Sequence, residues 1–513
     1  MTVWQHDLYY WQLVHHYVIE KDFRLLYQKN KEVWLEDENS KPKRIIRIKR
    51  ADFDWGNQLK KDLLETVKRA DLLRRQLKQK KIESDTIYVM MYPPVDSWEE
   101  LMRPFYLGKK QQTMMKMTLI PSELTEREHV INGILAKDQI PSFPIYEDVD
   151  MAEVIIGRLK REVRQHTKKK EEEERSYFLY GKPIATYVLL ALIAVMFYIV
   201  EQNGGSTHVL TLIEFGAKYN PAIIDGEWWR FFSSMFLHIG FIHLFMNSLA
   251  LLFLGGAVER MYGTSRFVLI YFVAGLIGSI ASFAFNAQVA AGASGAIFGC
   301  FGALLYFGIS HPKLFFRTMG TNVLVILAIN LVFGFMMPMI DNGAHIGGLV
   351  GGFLAAAVVQ LPKQKARMRQ LLFLVGTVIL AVSLYGLGFV NEDKQLSSLL
   401  SLQMAQEYMQ EGRLYEAYPL IYEVLEEEES AEAYFLLGYA DYALEDFQEA
   451  KDSFMRAVEL QPSFHQAHYN LALSHYRLGD REEAIAAVEQ AIALEPNEES
   501  YQTFLTEMKS ISN

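Results

Sequence analysis

Seven long apolar runs occupy the middle of this chain, at about 183–200, 240–258, 267–285, 294–310, 321–340, 345–361 and 370–390. No other feature limits its folding as tightly. A run of roughly 18–20 apolar residues is long enough to cross hydrocarbon as a helix. Inside hydrocarbon, only helices and closed barrels satisfy their own backbone hydrogen bonds. The runs therefore predict a polytopic helical domain. Basic residues fall on alternate connections: Lys182 before the first run, Arg260 and Arg266 after the second, Lys313 and Arg317 after the fourth, and Lys363, Lys365, Arg367 and Arg369 after the sixth. The positive-inside rule then predicts a cell-membrane protein with its N-terminal domain in the cytosol. Odd-numbered helices run outward, and the C-terminal part lies outside.

The flanks differ in charge. Residues 1–182 carry 34 Lys and Arg against 30 Asp and Glu, while residues 391–513 carry 7 against 25, a net −18. Such an acidic, solvated block is a poor match for nucleic acid or an anionic lipid surface. Cys300 is the only cysteine, so no intrachain disulfide can form. The first residues, Met-Thr-Val-Trp-Gln-His-Asp, have no basic region followed by an apolar run, and no cleavable signal peptide is expected.

Residues 1–165 read as a soluble α/β domain. Phe23–Tyr27, Glu32–Leu35, Ile45–Ile48 and Thr86–Met91 have strand character, with turn residues such as Glu38-Asn39-Ser40-Lys41-Pro42 between. Trp55 to about Lys81 reads as an amphipathic helix, with Leu59, Leu63, Leu64 and Val67 at helical spacing. Residues 166–182 read as a charged linker or helix ahead of the membrane. Asp52 and Asp54 flank Phe53 at the end of the third strand and are expected to share a face, where they could help bind a regulatory Mn²⁺ or Mg²⁺.

Residues 398–513 contain a 34-residue period. Tyr434, Leu437, Gly438, Ala450, Phe454, Ala457 and Pro462 are followed by His468, Leu471, Ala472, Ala484, Val488, Ala491 and Pro496. A less regular copy, with Met404, Ala405, Tyr408, Gly412 and Ala417, lies upstream. The period and residue types resemble the tetratricopeptide repeat. Three copies make a short all-α solenoid, an architecture that usually presents a groove to a protein partner.

Four polar residues stand out within the apolar runs. Ser294 opens the fourth and His345 the sixth; His243 and Asn247 lie at i and i+4 near the start of the second. All three helices run inward in the predicted topology, so the four side chains converge near the outer surface. Polar groups at membrane depth face protein or a wet cavity. Gly295, Gly299 and Gly302 line one side of the fourth helix, and Gly348 and Gly352 continue the His345 face of the sixth. Small residues at this spacing let two backbones approach, as a bond between Ser294 and His345 would require. Asp341 precedes His345 by four residues and is placed in the wet loop, so a two-residue constellation is expected. No His-Glu-x-x-His or Gly-x-Gly-Asp is present.

These motifs resemble the rhomboid intramembrane serine proteases. The residues carrying the resemblance are Glu227-Trp228-Trp229-Arg230, His243-Leu244-Phe245-Met246-Asn247, Gly292-Ala293-Ser294-Gly295, and Ala344-His345-Ile346-Gly347-Gly348 with Gly352. The match covers residues 183–361 as a six-helix protease core, with 370–390 as a seventh helix. The flanking domains resemble those of a group found in Gram-positive bacteria. The resemblance implies Ser294 as nucleophile and His345 as general base, with His243, Asn247 and the Ser294 N–H holding the oxyanion. It implies Phe298 packed on the His345 ring, where many relatives have Tyr. It also implies an aromatic first outer loop, about 201–239, immersed beside the site, with Trp228, Trp229, Phe231, Phe232 and Phe236. No cofactor is required. The partners implied are transmembrane protein substrates within the lipid bilayer. Competing readings are a catalytically silent rhomboid-like escort protein, which the intact Ser294 and His345 oppose, and a channel or transporter, which the one-sided polar cluster opposes.

Overall fold

The computed structural model describes residues 3–510 apart from 78, 109–110, 122, 134, 145, 147, 338–339, 363–366 and 392–396. Lys363 and Lys365, of the basic connection after the sixth run, lie outside the described residues. The chain divides into two compact units, Met1–Tyr177 with Phe316–Thr318, and Phe178–Phe315 with Met319–Asn513.

The first unit begins with helix α1 (Val3–His15), whose Leu8, Tyr10, Leu13 and Val14 are buried. Strands β1 (Arg24–Lys29), β2 (Glu32–Asp37) and β3 (Lys43–Arg50) form an antiparallel meander. Helix α2 (Gly56–Gln76) leads to β4 (Ile82–Val89), parallel to β3. Two strands not anticipated from the sequence follow: β5 (Phe105–Leu107) and β6 (Thr113–Ile120), with β6 parallel to β4. The sheet order is β1-β2-β3-β4-β6-β5. On α2, Leu59, Leu63 and Val67 are buried as their i, i+4 spacing requires, whereas Leu64 turns to the surface.

Central strands covered on both faces can hold charges only when these are paired. β3 carries such charges to both faces. Arg44 reaches Asp85 Oδ2 at 2.5 Å and Asp138 Oδ2 at 2.8 Å on the α1 side. Arg47 reaches Asp62 Oδ2 at 2.6 Å and Glu32 Oε1 at 3.0 Å on the α2 side. Burial alone would raise the Asp62 pKa, but its bonds with Arg47 and Lys49 hold it down at about 2. Helices α3 (Leu124–Gly133) and α4 (Val149–Phe178) complete the unit. Buried Ala152, Leu159 and Val163 anchor the first half of α4, and the charged stretch 166–175 forms its second half.

The second unit carries the apolar helices: α5 (Ile184–Gln202), the short α6 (Val209–Glu214), α7 (Gly240–Tyr262), α8 (Thr264–Phe285), α9 (Ser294–Ser310), α10 (Gly320–Met336), α11 (Asn342–Val359) and α12 (Arg367–Val390). Among the described residues five, α5, α7, α8, α11 and α12, are long and apolar enough to cross a membrane, or six if α10 is counted with the Pro312–Thr318 helix that meets it at 74°. Helix α9 is apolar but has 17 residues. Glu259, fully buried in α7, accepts bonds from Ala185 N and Thr186 N at 2.8 Å each. It thereby satisfies N–H groups that the first turn of α5 leaves without helical partners. Helix α12 leaves Leu371, Leu372, Ile379 and Val382 exposed, the outward apolar surface expected of a lipid-facing helix.

Of the aromatics expected at the interface, Trp228, Trp229 and Phe232 are exposed. Phe231 is instead buried, with its ring 5.8 Å from that of Phe283. The repeats form antiparallel helix pairs: α13 (Ser398–Gln410) with α14 (Leu414–Glu427), α15 (Ala431–Ala443) with α16 (Phe447–Leu460), and α17 (His465–Leu478) with α18 (Arg481–Leu494). Helix α19 (Glu499–Ser510) closes the stack. Fully buried Ala405, Ala417, Ala450, Ala472, Ala484 and Ala491 allow the close packing that the period predicts.

Candidate active site

Helices α9 and α11 touch backbone to backbone. A Cβ on Gly348 would collide with the Gly295 carbonyl, and one on Gly352 with that of Gly299. Only glycine permits this approach. The result is that Ser294, at the start of α9, presents Oγ 3.0 Å from His345 Nε2, in the first turns of α11. The Phe298 ring, one turn into α9, stacks on the imidazole with centroids 4.1 Å apart and planes within 12°. His345 Nδ1 is buried and has no hydrogen-bond partner among the described residues. Asp341 is not its partner, because Asp341 accepts from Ala344 N at 2.9 Å and from the Ser282 hydroxyl. It acts as the N-cap of α11 and sets that helix's start.

His243 and Asn247 lie on one face of α7, and the His243 ring comes up against Gly292. Here a Cβ would sit 2.8 Å from His243 Cε1, and φ is +152°. Ile239 N approaches His243 Nδ1 at 3.4 Å, which favours a proton on Nε2. Asn247 Nδ2 donates to His243 O at 3.0 Å, using one of its two N–H groups and leaving the other. A hydroxyl against an imidazole, beside free N–H donors, can pass a proton and hold a developing oxyanion.

Trp229 and Arg230 brace the outer loop and do not touch the Ser294–His345 pair. Arg230 Nη1 donates to Ile213 O at 2.6 Å and Ala217 O at 3.1 Å, and its guanidinium lies 4.9 Å from the centre of the Trp229 ring.

Two further polar residues escaped the sequence reading. Lys218 is fully buried, donating to Asn286 O at 2.7 Å, Gln288 O at 2.8 Å and Asn220 Oδ1 at 3.1 Å. Burial pushes its ammonium down to about 8. Its backbone pairs both ways with Ala290, four residues before Ser294. His238, also buried, accepts from Ala293 N at 3.4 Å. A lone lysine in an aromatic loop has no local pattern marking it as an internal tie.

Asp52 and Asp54 require a correction. Strand β3 ends at Arg50, so both lie in the loop beyond it and do not share a strand face. The Asp52 carboxylate already accepts from Met91 N at 2.7 Å and Arg50 Nη1 at 2.8 Å. Among the described residues there is no group of three or more His, Cys, Asp or Glu that could hold a metal ion.

Apolar helices thus bring a serine hydroxyl and a histidine imidazole within hydrogen-bond reach, the pairing a serine hydrolase requires. The profile of the Rhomboid domain matches residues 225–362, and a tetratricopeptide-repeat profile matches residues 435–499. The chain is 38% identical over 474 residues to Rhomboid protease GluP of Bacillus subtilis (strain 168), spanning 90% of both chains. It is 37% identical over 194 residues to RHOMBOID-like protein 2 of Arabidopsis thaliana, covering 34% of this chain and 61% of that protein. The chain belongs to the rhomboid family of intramembrane serine proteases.

Proposed function

We propose that the protein cleaves transmembrane helices of other membrane proteins near the outer face, through a dyad of Ser294 as nucleophile and His345 as general base. The 3.0 Å contact between Ser294 Oγ and His345 Nε2 carries this reading. Ser294 Oγ attacks the scissile carbonyl carbon as its proton passes to His345 Nε2. The oxyanion is held by the free Asn247 N–H, the His243 Nε2–H and the Ser294 backbone N–H, which sits in the first turn of α9 where helices leave donors unpaired. His345 then gives its proton to the leaving amine, and water hydrolyses the acyl-enzyme by the same steps in reverse. The stacked Phe298 ring keeps the imidazole oriented without a third acid. A substrate backbone must leave its helical hydrogen bonds to enter extended, so small or helix-breaking residues near the cut favour cleavage.

The test is covalent. A fluorophosphonate should label the purified protein at Ser294 alone, as mapped by peptide mass spectrometry. Labelling elsewhere, with Ser294 unmodified in a protein that cleaves, rejects the assignment.

If Asn247 supplies a full donor, Asn247→Ala lowers kcat by roughly 10²–10³ with KM little changed. An unchanged rate in the His243→Ala/Asn247→Ala double variant removes both from the oxyanion site.

The alternation of basic connections supports a cytosolic N-terminus and an outward solenoid, which would hold substrate ectodomains or partner proteins. In a Cys300→Ala background, Ser500→Cys should react with an impermeant maleimide in intact cells and Ser40→Cys should not. The opposite pattern places the active site on the cytosolic side. Recruitment of a cytosolic partner by residues 1–165 is part of the proposal. Control by Mn²⁺ or Mg²⁺ through Asp52 and Asp54 is left out of it, because the Asp52 carboxylate is already taken up by Met91 N and Arg50.

A further inference from the structure

The solenoid is bonded to the outer loop of the protease. Glu407, on α13, accepts from Val209 N through Oε1 and from Leu210 N through Oε2, both at 2.9 Å. Beside it Leu400, Met404 and Val209 form a buried cluster, flanked by Ile213, Tyr219 and Val289. Gln288 Nε2 donates to Ser397 Oγ at 2.9 Å.

The positions touched are informative. Tyr219 follows Lys218, and Val289 precedes Ala290. The first repeat therefore packs on both sides of the two-way backbone bridge between Lys218 and Ala290. From Ala290 the chain runs to Gly292, whose N–H donates to Ser234 O at 2.9 Å, and then directly to Ser294. A carboxylate bonded to two backbone N–H groups is a charge-assisted contact, stronger than neutral ones. A contact meant only to tether a flexible substrate-catching arm would need neither this bond pair nor a buried cluster.

We propose that the first tetratricopeptide repeat is part of the frame of the active site, with Glu407 as a positioning residue that holds the outer loop and, through the Lys218–Ala290 bridge, the segment leading to Ser294. The inference rests on the serine-protease reading above. It separates the first repeat, committed to the protease, from the second and third, which remain available to a partner.

The test uses the full chain and a transmembrane substrate with no extracytoplasmic domain, so that capture by the solenoid cannot contribute. Glu407→Ala should lower kcat about tenfold, the scale of a lost charge-assisted contact, with KM little changed. The rate of fluorophosphonate labelling should fall in parallel. Glu407→Gln, which keeps one carbonyl acceptor, should recover part of the loss. Leu400→Ala/Met404→Ala attacks the same contact through packing and should produce the same kcat loss in a protein that elutes as the parent does in detergent. An active parent whose Glu407→Ala and Leu400→Ala/Met404→Ala variants cleave and label at the parental rate overturns the proposal. A loss confined to KM also overturns it, since that pattern belongs to substrate capture. A parent that neither cleaves nor labels sinks the protease reading together with it.

Discussion

Ser294→Ala should reduce cleavage of a transmembrane substrate by ~10⁴-fold or more, and His345→Ala should do the same. The two residues form one proton-transfer unit, so the double variant should be no worse than the slower single one. Their structural costs should differ. Removing the Ser294 hydroxyl deletes one atom, bonded to His345 Nε2, and melting in detergent should hardly move. Removing the imidazole also strips the face of Phe298, stacked at 4.1 Å, so His345→Ala should melt earlier. His345→Gln fills more of that space and should recover stability without activity. Robust cleavage by Ser294→Ala would end the serine-protease reading; normal stability in His345→Ala would show that the stacking contributes little.

The second large effect is expected from Gly348→Val. The added Cβ meets the Gly295 carbonyl, a backbone atom that cannot swing aside, so α9 and α11 must separate. Overpacking a tight contact costs roughly 1–3 kcal/mol or more. The catalytic loss should be greater, because a displacement of about 1 Å between reacting groups can cost ~10²-fold in rate. Gly352→Val, which meets the Gly299 carbonyl one turn further on, should destabilise similarly. Gly376→Ala on α12 has nothing within 4 Å of the added carbon and serves as the control, with parental melting and rate. Parental cleavage by Gly348→Val would mean that the two helices do not approach as closely as described.

The apolar runs, the 34-residue period and the pairing of Ser294 with His345 are all visible in the linear sequence. Each follows from a short-range rule: the length needed to cross hydrocarbon, the period of a stacked helix pair, and the spacing of glycines along one helix face. Local rules give way where neighbours in space decide the outcome. Leu64 fits the helical spacing of α2 yet is exposed, because the sheet covers only the Leu59–Leu63–Val67 stripe. The three-residue edge strand β5 is too short to stand out in the sequence, and the Met- and Thr-rich β6 beside it is a weak signal until paired. Asp52 and Asp54 alternate as strand residues would, but β3 ends at Arg50 and the loop turns Asp52 toward Met91 N.

The local pattern therefore places a hydroxyl and an imidazole at the heads of two glycine-lined apolar helices. The supports of that pair come from contacts distant in sequence. Lys218 ties the outer loop to Asn286 O and Gln288 O, nearly 70 residues away, and Glu407 ties the solenoid to Val209 and Leu210, nearly 200 residues away. The physical reason is the range of the forces. Hydropathy and helical period act between neighbours in sequence and can be read there. A buried ammonium or carboxylate is satisfied by whichever carbonyls or N–H groups the folded chain brings within 3 Å, and no local pattern records which those are.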